Sequence, residues 1–126
     1  MSGRQIVGGA MAALALTAAA GAQVKYSVLH EFGGSGDGAF PSSGLAIGSS
    51  GVLYGVTNQG GTGVCAGHKG CGTVYSLTPP ETAGGKWTEE ILYSFQGGND
   101  GALPSGVAVG TDGVLYGTTT YGGSGA

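Results

Sequence analysis

The chain has 126 residues, enough for one modest domain, with 30 glycines and 4 prolines, 40% hydrophobic residues and only 9% charged ones. Disordered chains are charge-rich and poor in aromatic and β-branched residues; here Tyr, Val, Ile, Leu and Thr recur between the glycines, which therefore read as turn punctuation. The net charge is −3 with only 4 Lys plus Arg, which excludes the basic face a nucleic-acid binder needs and argues against binding to an anionic membrane surface.

At the N-terminus, Arg4 is followed by an Ala- and Leu-rich run from Ile6 to Ala20 and then by Ala20-Gly21-Ala22, a small-residue exit. A positive start, a short apolar core and an A-x-A pattern predict a secretory signal peptide over residues 1–22, with cleavage after Ala22 and Ala20 as second choice. The competing reading, a membrane anchor, is disfavoured because the run of about 15 residues is shorter than the roughly 20 that cross a bilayer. The predicted location is extracellular or at the cell surface, with no membrane span in the mature chain.

Two stretches of the remaining chain copy each other. Residues 28–41 (VLHEFGGSGDGAFP) align with 91–104 (ILYSFQGGNDGALP), and residues 44–63 (GLAIGSSGVLYGVTNQGGTG) align with 106–125 (GVAVGTDGVLYGTTTYGGSG). The offset changes from 63 to 62 because one copy has an extra Ser in Ser42-Ser43. A fixed period signals one supersecondary unit used repeatedly.

Within the unit, Leu45 and Ile47 predict a short first strand ended by Ser49-Ser50-Gly51, and Val52 to Thr57 a second. Thr73 to Thr78 predicts a third, stopped by Pro79-Pro80, because proline cannot donate to a ladder. Trp87, Glu89, Ile91, Tyr93 and Phe95 share one parity and predict a pleated fourth strand. Residues 25–32 match that fourth strand, and Val107, Val109 and Val114 to Thr119 match the first two.

The predicted class is all-β: antiparallel four-stranded units of about 62 residues in a partial propeller-like array, with a β-solenoid as the alternative. The boundaries are residues 1–22 for the signal, 23–40 for a lone strand and loop of a preceding unit, 41–103 for a complete unit and 104–126 for the first half of the next. Repeat arrays generally need three or more units, so the chain reads as a fragment, with further repeats expected and the lone strand as a candidate ring closer.

The phrases Gly51-Val52-Leu53-Tyr54-Gly55-Val56-Thr57, Gly72-Thr73-Val74-Tyr75-Ser76-Leu77-Thr78-Pro79 and Leu92-Tyr93-Ser94-Phe95-Gln96-Gly97-Gly98-Asn99-Asp100-Gly101 resemble the bacterial GloVer (Gloeo/Verruco) tandem repeat. The resemblance implies a secreted or cell-surface protein with a propeller-like repeat fold, often carrying a C-terminal anchoring signal. It supplies no catalytic residues. The chain departs from it in array length and shows no anchor.

Cys65 and Cys71, the only cysteines, read as a disulfide in an exported protein. The competing reading is a metal site, because His68 gives Cys65-x-x-His68-x-x-Cys71, with His30 the one other histidine. Asp37 and Asp100 occupy equal places in D-G-A-[FL]-P: the sharper reading is a repeated calcium loop, the plainer one an Asx turn. Asp112 has a turn reading too. His30 aligns with Tyr93, which favours a packing role over catalysis. Tyr54, Tyr116, Tyr121 and Trp87 are aromatics that could stack on sugars, against the plainer role of packing between sheets. No catalytic residues and no cofactor are predicted. The leading function is a non-catalytic binding or adhesion scaffold facing an extracellular glycan or protein. The alternative is a fragment of a polysaccharide-active propeller enzyme.

Overall fold

The computed structural model describes residues 11–17, 24–33 and 36–125, and these form nine strands and no α-helix. The strands are β1 (Met11–Thr17), β2 (Lys25–Phe32), β3 (Gly38–Pro41), β4 (Ala46–Ile47), β5 (Leu53–Gly60), β6 (Thr73–Thr78), β7 (Thr88–Ser94), β8 (Ala102–Val109) and β9 (Leu115–Tyr121). They make three antiparallel sheets: β1-β2, a five-stranded sheet β3-β5-β6-β7 in which β4 also pairs with β5, and β8-β9. The all-β class predicted from the sequence is therefore observed, and among the described residues no sheet closes into a ring or barrel.

Most of the signal predicted at residues 1–22, including the cleavage site, lies outside the described residues. Its described part, β1, pairs along the whole of β2, from Met11 opposite Phe32 to Thr17 opposite Lys25.

The two sequence copies pair in the same register. Ala46 and Ile47 face Tyr54 and Leu53, as Ala108 and Val109 face Tyr116 and Leu115. Pro41 faces Thr57, as Pro104 faces Thr119. The stretch Gly38–Pro41, read from sequence as the end of a loop and the start of the next unit, instead forms β3. It can do so because Gly38 sits directly over the buried Thr57 and Thr73, where any side chain would collide with Thr57. Those two threonines share a hydrogen bond of 2.8 Å between hydroxyls, and Thr57 Oγ1 also accepts the Thr73 amide at 3.2 Å. The extra Ser42-Ser43 separates β3 from β4, whereas the shorter copy runs through as the single strand β8 with a register shift between Pro104 and Gly106.

The fourth strand does not keep one parity. In the β6–β7 ladder Val74 faces Tyr93 but Tyr75 faces Ile91, so Leu92 is an extra, bulged residue. A bulge moves the following side chains to the other face. Trp87 and Ile91 consequently pack against one core, while Leu92, Tyr93 and Phe95 line the opposite side of the sheet. In β2 the pairing jumps from His30 to Val28, leaving Leu29, the copy of Leu92, in the same situation.

The hydrophobic core lies between the β1-β2 hairpin and the five-stranded sheet. Ala13, Phe32, Tyr75 and Leu77 are its buried residues, with Leu29, Leu45, Leu53, Trp87 and Ile91 packed around them. Phe32 and Tyr75 meet at 4.7 Å between ring centroids, a spacing at which tilted rings attract. The Tyr75 phenol lies against Gly55, where a Cβ would strike its hydroxyl. Burial, assisted by the charge of Glu89, pushes the phenol up to about 12.

The β8-β9 hairpin leans on the other side, fixed by the Leu103 amide donating to the Cys71 carbonyl at 2.8 Å and by Ser42 Oγ donating to the Pro104 carbonyl at 3.3 Å. No helix of the described residues is long and apolar enough to cross a membrane.

Leu77 is fully buried and Ile47 is 73% exposed. In urea unfolding, Leu77→Ala is expected to cost about 2–5 kcal/mol, whereas Ile47→Ala should change stability by under about 0.5 kcal/mol.

Candidate functional site

Each copy contains a strand residue, a glycine-rich stretch and an aspartate, and the aspartate accepts a backbone amide from the start of that stretch. In the first, Asp37 Oδ2 accepts the Gly33 amide at 3.2 Å and lies 3.2 Å from His30 Nε2, while Oδ1 accepts the Gly38 amide at 2.7 Å. In the second, Asp100 Oδ2 accepts the Gln96 amide at 2.7 Å and Oδ1 accepts the Tyr93 hydroxyl at 2.5 Å. The Tyr93 hydrogen bond, followed by that from Gln96, holds the Asp100 carboxyl below the ordinary range and raises the phenol of Tyr93. Both aspartates reach backward to an amide four residues earlier, so neither forms the Asx turn read from the sequence. Asp112 does form one, accepting the Val114 amide at 3.1 Å.

The neighbouring rings repeat as well. His30 meets Phe32 edge-on at 4.6 Å, and Tyr93 meets Phe95 edge-on at 5.1 Å. The two aspartates nevertheless differ in company. Asp100 joins no third acidic, histidine or cysteine ligand among the described residues. Asp37 and His30 are joined by Glu89 of β7, and one ligand atom from each of the three lies within 4.8 Å of the others.

Glu89 sits in the strand segment whose side chains face the core. Its Oε1 is shielded from solvent and has no hydrogen-bond partner. Burial is the largest cause raising its carboxyl above the ordinary value; the charge of Asp37 adds to this, His30 opposes it, and the charge of Glu90 raises it further. Sequence reasoning missed Glu89. The available signal was a carboxylate between Trp87 and Ile91, on the side of the strand that the alternation assigns to apolar residues.

Cys65 and Cys71 form a disulfide, with Cα atoms 5.3 Å apart. The bond occupies both thiols, which removes them from the ligand set of the competing metal reading at His68. The bridged loop packs on the turn after β7: a Cβ on Gly97 would lie 2.9 Å from Cys65 Sγ, and one on Gly63 2.8 Å from Cys71 Sγ. Opening a ring of this size should lower stability by about 2–3 kcal/mol. Urea unfolding with and without reductant checks it, and Cys65→Ser with Cys71→Ser should reproduce the reduced value.

The aromatic candidates do not gather at one place. Trp87 is half-buried against the core, and Tyr54 is half-buried beside Gly48. Tyr116 is 59% and Tyr121 62% exposed. Tyr116 lines an apolar cleft of about 440 Å³ between the five-stranded sheet and the second hairpin, with Val74, Leu92, Phe95, Val107 and Leu115 among its walls. Tyr121 borders a second hollow of about 360 Å³ beside the disulfide loop. Comparison with family models, curated proteins and solved structures finds no match to this chain.

Glu89 predicts a pH dependence. Its folded-state value is raised above the ordinary value for a glutamate, so the folded chain holds this proton more tightly than the unfolded one. That contribution is fully present below pH 4.5 and is lost as pH rises through the folded-state value. Urea midpoints of the native chain should therefore fall, relative to Glu89→Gln, as pH rises from about 4.5.

Proposed function

We propose that this chain is an exported or cell-surface scaffold whose sheets stack as in the GloVer repeat and present loops for binding or adhesion, without catalysis of its own. The observation that carries the reading is the apolar cleft. On one side of the five-stranded sheet, Leu29 and Phe32 of β2 are covered, packed with Tyr75 and Leu77. On the other side their copies, Leu92 and Phe95, face a cleft that β8 and β9 wall only in part. A further unit would supply strands corresponding to β6 and β7, whose Tyr75 and Leu77 fill the first interface. Such a face-to-face series is how a propeller or solenoid buries both sides of each sheet.

Export supports the same arrangement. Removal of residues 1–22 would take away β1 and free the edge of β2, which could then receive a strand from another unit. The ligand class that suits the exposed surface is a glycan, because Tyr116 and Tyr121 offer flat apolar faces with polar tips beside glycine-rich turns.

The test is expression of the full chain with its own N-terminus in a Gram-negative host. N-terminal sequencing of the exported product should read Gln23. Binding on a glycan array should weaken at least about tenfold in Tyr116→Ala or Tyr121→Ala. An unprocessed Met1 terminus with retention in the cytoplasm would sink the reading. Release of reducing sugar from a polysaccharide would instead support the alternative, a piece of a polysaccharide-active enzyme.

A further inference from the structure

We infer that His30, Asp37 and Glu89 form a binding site for one divalent transition-metal ion of the zinc class. The inference is separate from the scaffold reading and concerns the full chain with β1 in place; it rests on three side chains and their surroundings.

The three ligands come from separate elements: His30 from β2, Asp37 from the turn before β3 and Glu89 from β7. Packing of the β1-β2 hairpin on the five-stranded sheet brings them together. Zinc bonds of about 2.0–2.2 Å place neighbouring ligand atoms roughly 3–3.6 Å apart. His30 Nε2 and Asp37 Oδ2 are already 3.2 Å apart, and one ligand atom from each of the three residues lies within 4.8 Å of the others.

A second observation, independent of this spacing, is the condition of Glu89. Its shielded Oε1 has no hydrogen-bond donor, and among the described residues neither Glu89 nor Asp37 forms an ion pair with a lysine or arginine. Glu89 is half-buried, and a shielded carboxylate oxygen without a partner or counter-charge is costly. A dication between the two carboxylates would supply that charge.

The donor set selects the class of ion. Calcium takes 6–8 oxygen ligands, whereas one imidazole with two carboxylates suits zinc, manganese or cobalt. Three protein ligands leave at least one position for water or an exogenous ligand. The side chains of His30 and Asp37 are 23% and 15% exposed, so an ion has a route from solvent. The edge-on contact with Phe32 fixes the His30 ring plane. The second copy lacks the site by its own chemistry, because Tyr93 in place of His30 donates its hydroxyl to Asp100.

The test is titration of the full chain with Zn²⁺ and Co²⁺ at neutral pH, read by calorimetry, by the visible absorption of bound Co²⁺ and by the NMR signals of the His30 ring. One equivalent should bind, the His30 signals should move, and His30→Gln, Asp37→Asn and Glu89→Gln should each weaken binding at least about tenfold. Asp100→Asn and His68→Gln should bind as the native chain does. Asp37 also closes its turn and its replacement risks the fold; Glu89→Gln keeps shape and removes only charge, so with its fold checked by circular dichroism it carries the decision. The proposal is overturned by absence of uptake in the folded native chain, by unchanged affinity in Glu89→Gln, by loss of binding in His68→Gln, or by displacement of the bound ion by calcium.

Discussion

Pleating commits alternate side chains of a strand to opposite faces, so residues of one parity reach both faces only where the ladder breaks. The bulge at Leu92 is that break. Before it, Trp87 and Ile91 serve the core against β2; after it, Tyr93 and Phe95 serve the cleft against β8 and β9. The same irregularity at Leu29 delivers Phe32 to Tyr75. The described architecture follows from this device: sheets that lie over one another, each handing an aromatic to the next.

Glycine and threonine make the stacking close enough. Gly55 lets the Tyr75 phenol lie on the backbone of β5, and Gly38 lets β3 cross directly over Thr57. The threonine pair beneath satisfies its own hydroxyls, so these buried polar groups do not carry the penalty of unpaired ones. The disulfide then closes a small ring within the long connection between β5 and β6, and that ring packs against Gly97 in the turn that follows β7.

Against this economy Glu89 stands out. It is the one described carboxylate with a shielded and unpartnered oxygen, and it lies beside the one aspartate that is paired with a histidine. The fold keeps three ligating side chains together at the edge of its core. The contrast with the Tyr93–Asp100 latch shows how one strand position can serve turn closure in one copy and gather a ligand set in the other.

The sequence by itself determined the all-β class, the copy relationship and the cysteine pair. Alternation, proline stops and turn glycines are local signals, and a disulfide of short span needs little beyond its neighbourhood. It also placed β4 through β7 and β9 close to where they lie. The tertiary structure alone decided the rest. β3 forms because Gly38 can approach Thr57 across a ladder, a contact between residues far apart in sequence. The bulge at Leu92 is invisible to alternation, since Tyr93 and Phe95 keep the parity of Ile91 on paper while the ladder shifts. The meeting of His30, Asp37 and Glu89 depends on how one sheet lies over another, and side-chain spacing along a chain carries no information about that separation.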